Sequence, residues 1–334
     1  MNLLGLMKGF FRRNEAPSAS HRVAPEAPRR LRIELDDGIL TLSEPEFMGY
    51  ACTSPNRSWV IGYCAISDGG PNGLRAHSAI VLVDMEHERI AYYSEDVERP
   101  FDASVSDCGS FIFNDCGWGH DPSANIIAIG SQGEEVHRWS YEANVFSLGI
   151  SACGNYAAVQ TAHAPNDDGN RLEVIDLRRK SKCSSVAPTG GWGSSFIFDL
   201  DENQELRELR VEIRDLGTFG YSPAGEFIDY KRLIYALLRN SNFSTALDLI
   251  RHAASEDADE QALETCLGEV DEVLSFKGLG GSAAASAHRL RGELLESLNR
   301  LADALDAYER ALELDPKVGV KVRLKQLRTR LSGP

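Results

Sequence analysis

The sequence predicts two kinds of structure in series: antiparallel β over residues 31–229, then α-helix over residues 230–334. Three observations carry this. From Leu31 to about Tyr230, short runs rich in Val, Ile, Phe and Tyr alternate with clusters of Gly, Asn, Asp, Ser and Pro. That is how short strands joined by tight turns read. Past Tyr230 the apolar residues recur at helical spacing instead. Within the β part, similar strands return at a fixed interval, so one structural unit is used several times. A length of 334 residues also suits about two domains.

Two segments precede the β region. In MNLLGLMKGFFRRNE, Leu3, Leu4, Leu6, Met7, Phe10 and Phe11 recur at helical spacing, with Lys8, Arg12 and Arg13 between and after them. Residues 1–13 therefore read as a short amphipathic helix. It could lie on a membrane surface, dock on a partner or pack on its own chain. It makes a poor signal peptide, because the apolar run is short and the basic residues follow it. Residues 14–30, NEAPSASHRVAPEAPRR, have lost all apolar periodicity and read as a disordered linker.

The predicted strands are LRIEL, ILTL, SWVIGYCAI, SAIVLVDM, RIAYYS, SFIFN, NIIAIG, EVHRWSY, NYAAVQT, RLEVIDL, SSFIFDL and LRELRVEI. Ala79–Asp84, Asn125–Gly130 and Arg171–Asp176 are counterparts, and Asp84, Gly130 and Asp176 are spaced 46 residues apart. A second landmark is a tight turn before a strand, where glycine suits the backbone. It reads Ser106-Asp-Cys-Gly109, Ser151-Ala-Cys-Gly154 and Ser222-Pro-Ala-Gly225, with Ser54-Pro-Asn-Arg57 as a worn copy. Strands ending in Asp and Ser-x-x-Gly turns resemble WD-repeat proteins, and a unit of about 45 residues with four strands resembles a β-propeller blade. The Gly-His and Trp-Asp pairs of that family are missing. Three to four units fit. Closure of a ring would need LRIEL and ILTL to join the last, incomplete unit; otherwise the array stays open and helices cover its edge. A β-sandwich is the alternative architecture.

The predicted helices are Tyr230–Arg239, Ser244–Ala254, Asp259–Phe276, Ala283–Asn299, Leu301–Leu314 and Val318–Leu331. Between Ala287 and Pro316, small and large residues recur where two close-packed helices need them. Gly292, Ala304 and Ala311 are the small residues, Leu295 and Tyr308 the large ones, and Pro316 closes the unit. This stretch resembles a tetratricopeptide repeat. Phe243-Ser-Thr-Ala246, with Leu233, Leu237, Ile250 and Ala253, resembles a second, worn copy. The last helix resembles the polar cap that ends such arrays. Two repeats fall short of the three or so needed for independent stability, so the helices are expected to lean on the β domain or on another chain.

The formal net charge of −15 and pI near 5.0 argue against a nucleic-acid partner, since phosphate binding needs a basic face. Seven cysteines with no CxxC spacing suit a reducing compartment and give a zinc site no footing. No apolar run reaches the ~20 residues that span a bilayer. The expected location is cytoplasmic, with peripheral membrane association as the alternative.

No phosphate loop, dinucleotide fingerprint, nucleophile elbow or zincin motif occurs, and the glycine clusters read as turns. One constellation has a chemical reading. His77, His120 and His163 are spaced 43 residues apart, in polar loops that also hold Asp68, Asp115, Asp121, Asp167 and Asp168. Gathered on one rim, they could hold a ligand or metal, or act as acid and base. Ordinary loop composition produces the same residues. Trp118 and Trp192 sit in Gly-flanked loops, where an exposed indole can anchor a partner.

The expected function is a non-catalytic scaffold that uses no cofactor or metal and binds another protein. The resemblance to tetratricopeptide repeats implies that a partner peptide or helix lies along the first helix of the clearest repeat, against His288, Arg291 and Leu295. The alternatives are a ligand- or metal-binding enzyme using the histidine-bearing loops, and an adaptor with weak membrane-surface contact through residues 1–13.

Overall fold

The computed structural model describes residues 31–65, 78–117, 122–255 and 258–332. The expected helix at 1–13 and the linker at 14–30 lie outside them. Four antiparallel sheets follow one another along the chain. The first holds β1 (Ile33–Asp36), β2 (Ile39–Ser43), β3 (Glu46–Thr53), β4 (Trp59–Cys64), β5 (Ala79–Asp84) and β6 (Arg89–Ser94). The second holds β7 (Pro100–Val105), β8 (Phe111–Cys116), β9 (Ala124–Ile129) and β10 (Glu135–Tyr141). The third holds β11 (Val145–Ile150), β12 (Tyr156–Thr161), β13 (Leu172–Asp176) and β14 (Ser181–Val186). The fourth has three strands: β15 (Gly193–Leu200), β16 (Leu206–Ile213) and β17 (Gly217–Tyr221). Each sheet is a meander, and each stacks face to face on the next. The architecture is propeller-like; a two-sheet sandwich is ruled out.

Strand alternation assigns the faces. On β4 and β5, Ile61, Ile80 and Leu82 point to the second sheet and meet Val105, Phe111, Phe113 and Ile127. Ile112, Ile126 and Ala128 point the other way and meet Leu148, Ile150, Val159 and Ile175 of the third sheet. Tyr156, Ala158, Leu172 and Val174 then face Leu209, Val211, Phe219 and Tyr221 of the fourth. Along one side of the stack the first strand of each later sheet packs on the sheet before it: β7 on β4 and β3, β11 on β7 and β15 on β11. Small residues permit that approach: a Cβ on Gly149 would sit 3.0 Å from the Phe196 ring, and Ser104 Oγ accepts the Ile150 N–H at 3.2 Å.

Among the described residues the stack does not close into a ring. β1 and β2, offered above as strands that would complete the last unit, pair instead with β3 and extend the first sheet. That sheet curls on itself, so that Leu40, Leu42 and Phe47 cover Val60, Val81 and Val83 on its outer face. The curl requires glycine at its inside. A Cβ on Gly49 would overlap the Tyr63 carbonyl oxygen, and one on Gly62 would sit 2.7 Å from Leu40 and 2.8 Å from Phe47. At the other end, the far face of the fourth sheet pairs Ser195 with Glu212, Ile197 with Arg210 and Asp199 with Glu208. Arg210 pairs with Asp199 at 2.8 Å and Ser195 donates to Glu212 at 2.6 Å, which is the chemistry of a face turned to water.

The repeated landmarks have local causes. In the turns Ser54–Arg57, Ser106–Gly109 and Ser151–Gly154 the fourth residue has positive φ, at 62°, 83° and 78°. Its N–H bonds back to the Ser carbonyl in each. Neighbouring turns are stitched together: Asp107 accepts the Asn56 N–H at 2.8 Å and donates its own N–H to the Ala152 carbonyl. Asp84 and Asp176 end their strands by accepting backbone N–H groups of the following turn, from His87 and from Arg178 and Arg179. Burial alone would raise the Asp84 carboxyl, but bonds from His87 and Arg89 hold it below the ordinary value. Gly130 fills the equivalent position in the second sheet because the Glu134 carboxylate occupies the space its Cβ would need. That carboxylate takes over the task, accepting the Gln132 N–H at 3.2 Å.

The helices are α1 (Tyr230–Arg239), α2 (Phe243–Ala253), α3 (Glu260–Ser275), α4 (Gly281–Ser297), α5 (Leu301–Leu314) and α6 (Lys321–Ser332). Consecutive helices pack together, and α2 also meets α4. Their core is continuous with that of the fourth sheet: Leu233, Ile234, Leu237 and Leu238 of α1 belong to the same buried cluster as Leu209, Val211 and Ile213. The helices thus lean on the β array, as the shortage of repeats led us to expect.

Candidate interaction surface

The densest helix contact is the crossing of α4 and α5. Gly292 lies flat against Tyr308, where a Cβ would sit 2.5 Å from the ring. Ala304, Ala311 and Leu295 are fully buried around them. Tyr308 is buried too, yet its hydroxyl donates to Glu296 at 3.1 Å and accepts from Arg323 at 3.1 Å. Burial pushes its pKa up to about 12, so it stays a neutral hydroxyl that ties α4 and α5 to α6. Pro316 is exposed, just past the end of α5.

Two charged edges flank α4. On one, Arg291 bonds Asp271 of α3 at 2.7 Å. His288 lies half-buried in the same neighbourhood. Burial, with Arg310 and Arg291 close by, pulls its imidazole below the ordinary value, so the ring is neutral at pH 7. On the other edge, Glu293 takes Arg289 at 3.0 Å, Arg323 of α6 at 3.3 Å and Arg251 of α2 at 3.7 Å. Of the three residues expected to meet a partner, His288 and Arg291 reach the surface, whereas Leu295 is wholly inside the core. It holds the surface up and does not line it. The acidic run on α3 is largely engaged: Asp259 caps the helix by accepting the Ala262 N–H at 2.8 Å. Glu264 faces Arg300 at 3.6 Å, and Glu272 accepts from Tyr235 at 2.6 Å.

Most of the histidine-bearing rim lies outside the described residues. His77, His120, Asp68, Asp121 and Trp118 lie outside them, and His163 is exposed. Asp115 is buried and holds the backbone N–H groups of Glu98 and Arg99, while Asp168 accepts the Glu142 N–H at 2.7 Å. Both have loop-fixing work. No group of three or more metal-ligating side chains gathers among the described residues. Trp192 is exposed and stacks edge-on with Phe146, ring centroids 4.3 Å apart. Sequence reading missed Phe146 because its strand, VFSLGI, has no clean alternation. No helix among the described residues is long and apolar enough to cross a membrane.

Residues 285–318 match the tetratricopeptide repeat family, which covers most of α4, all of α5 and the turn after them. Such repeats are typically protein-interaction modules. No curated protein matches the sequence. Among solved structures, hydrazine synthase of Kuenenia stuttgartiensis is 15% identical with a TM-score of 0.34, over 53% of this chain and 48% of that one. The complex of KlAtg21 with the coiled coil of AgAtg16 gives 8% identity and a TM-score of 0.38, over 57% and 63%. The β-propeller domain of Myceliophteria thermophila Cps50 (Swd1) gives 14% and 0.29, over 58% and 68%. The match thus takes in less than two thirds of the first two of these chains.

Proposed function

We propose that this chain is a non-catalytic interaction scaffold whose helical array receives a segment of a partner protein. The observation that carries the reading is the tetratricopeptide match over a helix pair whose packing residues, Gly292, Ala304, Tyr308 and Ala311, are used as close-contact positions. The β array serves as the platform that completes the helical core. His288 and Arg291 are the α4 residues offered to the partner.

The test is site-specific photo-cross-linking. A benzophenone side chain at position 288 should capture a discrete partner in native lysate, and Arg291→Glu should abolish the capture. The same probe at Glu208, on the far face of the fourth sheet, should capture nothing comparable. Equal capture from both positions, or no dependence on Arg291, would refute the reading.

A further inference from the structure

Where the helices leave the β array, α1, the end of α2 and α3 enclose a cleft of about 540 Å³. Ile228, Ala253 and Ala262 give it apolar walls, and Glu269 and Tyr230 also line it. Glu269 is only 5% exposed, and its Oε2 has no hydrogen-bond partner. The Tyr230 hydroxyl is buried and unpartnered as well. Other buried acids among the described residues are matched: Glu173 holds Tyr141, Lys182 and Ser185, and Asp176 holds Arg178 and Arg179. A buried carboxylate with an empty acceptor is costly to keep, and Glu269 is one of the residues that line this cleft, which points to a ligand that brings the donor.

We propose that this cleft seats a basic side chain, lysine or arginine, of a partner protein, with its N–H groups on Glu269 Oε2 and Tyr230 Oη and its methylenes against Ile228, Ala253 and Ala262. The inference rests on the interaction-scaffold reading and adds a chemical specificity to it. Lys231 and Arg232 also line the cleft, so an incoming cation meets two positive charges as well as Glu269. Asp229 is already paired with Arg232 at 3.2 Å and accepts the Gly220 N–H, so the acceptor left over is Glu269. Burial raises the Glu269 carboxyl; Lys231 lowers it and Glu272 raises it. A bound cation would bring it back down. An anion would meet the buried carboxylate directly.

The test uses the full chain with 13C-labelled glutamate carboxyls, assigned through Glu269→Gln. The probes are butylguanidinium, butylammonium, tetramethylammonium and butyrate, then a neutral capped pentapeptide with a central arginine. The two N–H cations should lower the Glu269 titration midpoint and saturate. Tetramethylammonium, which has no N–H, and butyrate should do neither. Glu269→Gln should weaken butylguanidinium at least about tenfold, the scale of a lost charge-assisted bond. Filling the cleft by Ala262→Met should do the same, which guards against misfolding of the first variant. The peptide should bind more tightly than butylguanidinium. Equal affinity would assign the cleft to small free cations and overturn the partner-protein proposal. So would a midpoint that moves in Lys231→Met but not with added cations, since Lys231 would then be the missing donor. Failure here with His288 cross-linking intact would remove the cleft and leave the scaffold reading standing; cation binding here with the cross-linking test failed would refute the scaffold reading and with it the assignment of the cation to a partner protein.

Discussion

The two ends of the β array solve the same problem in different ways. A stack of sheets that does not close has two unpaired faces, and each must be covered or made polar. At the N-terminal end the first sheet covers itself: β1 and β2 fold back, and Leu40 and Phe47 lie over Gly62. At the C-terminal end the far face of the fourth sheet is polar, and its buried face merges with α1. The first end is self-sufficient. The second borrows its stability from the helices, and they from it. Incomplete repetition therefore becomes useful, because a short β array and a short helical array each supply the neighbour the other lacks.

Substitutions break the comparison most sharply in the helices. Ala304→Trp puts an indole where α4 and α5 have no space and should destabilise that pair by about 3 kcal/mol, read as loss of the helical melting transition. At the opposite end, Gly49→Ala should lower stability by about 2 kcal/mol, because its Cβ meets a backbone oxygen that cannot move aside. Hydrogen exchange should show that damage in β1–β4 and leave the helices protected. Damage that spreads to α4 and α5 would show that the ends are not independent.

Asp102 sharpens the comparison through pH. Burial raises its carboxyl to about 6 against an ordinary 3.8. A raised acid is protonated in both states below about pH 4 and must ionise in the folded state as pH climbs. Its contribution to stability is then fully kept below the unfolded value and lost between about pH 4 and 6. Asp102→Asn should remove that slope and stabilise the protein at pH 7 by about 1–2 kcal/mol, with urea midpoints across the range as the measure. The smallest effect belongs to the polar end. Asp199→Ala breaks a half-exposed pair with Arg210 and should change stability by about 0.5 kcal/mol or less. A larger loss would mean that this face is covered.

Much of this was legible in sequence. The helices stand close to where periodicity put them, because each has a broad apolar face. The strands that went unread are β3, β7, β11, β14 and β17. β3, β7 and β11 are pressed on strands of a neighbouring sheet, so they carry Gly49, Asp102, Ser104, Ser147 and Gly149 where alternation calls for large apolar residues. β14, SKCSSV, is an outer edge and nearly polar. Gly109, Gly154 and Gly225 stand in the tight turns read from the sequence, while only the position of Glu134 explains why Gly130 stands at the place of Asp84 and Asp176. The tetratricopeptide positions identified the tightest crossing, but sequence placed Leu295 at the partner surface because a helix face cannot be assigned before its neighbours are known. The Glu269 cleft left no signal at all, since it forms where three helices and a strand end converge.

The central claim is that the fourth sheet and the helices are one cooperative unit. Leu233, fully buried in α1 and beside Gly190 and Ile213 of the β region, is the place to test it. Leu233→Ala should cost about 2–5 kcal/mol, and native-state hydrogen exchange should show β16, β17 and α2–α5 losing protection together while β4 and β5 keep theirs. Loss confined to the helices, with β16 and β17 still fully protected, would contradict the account.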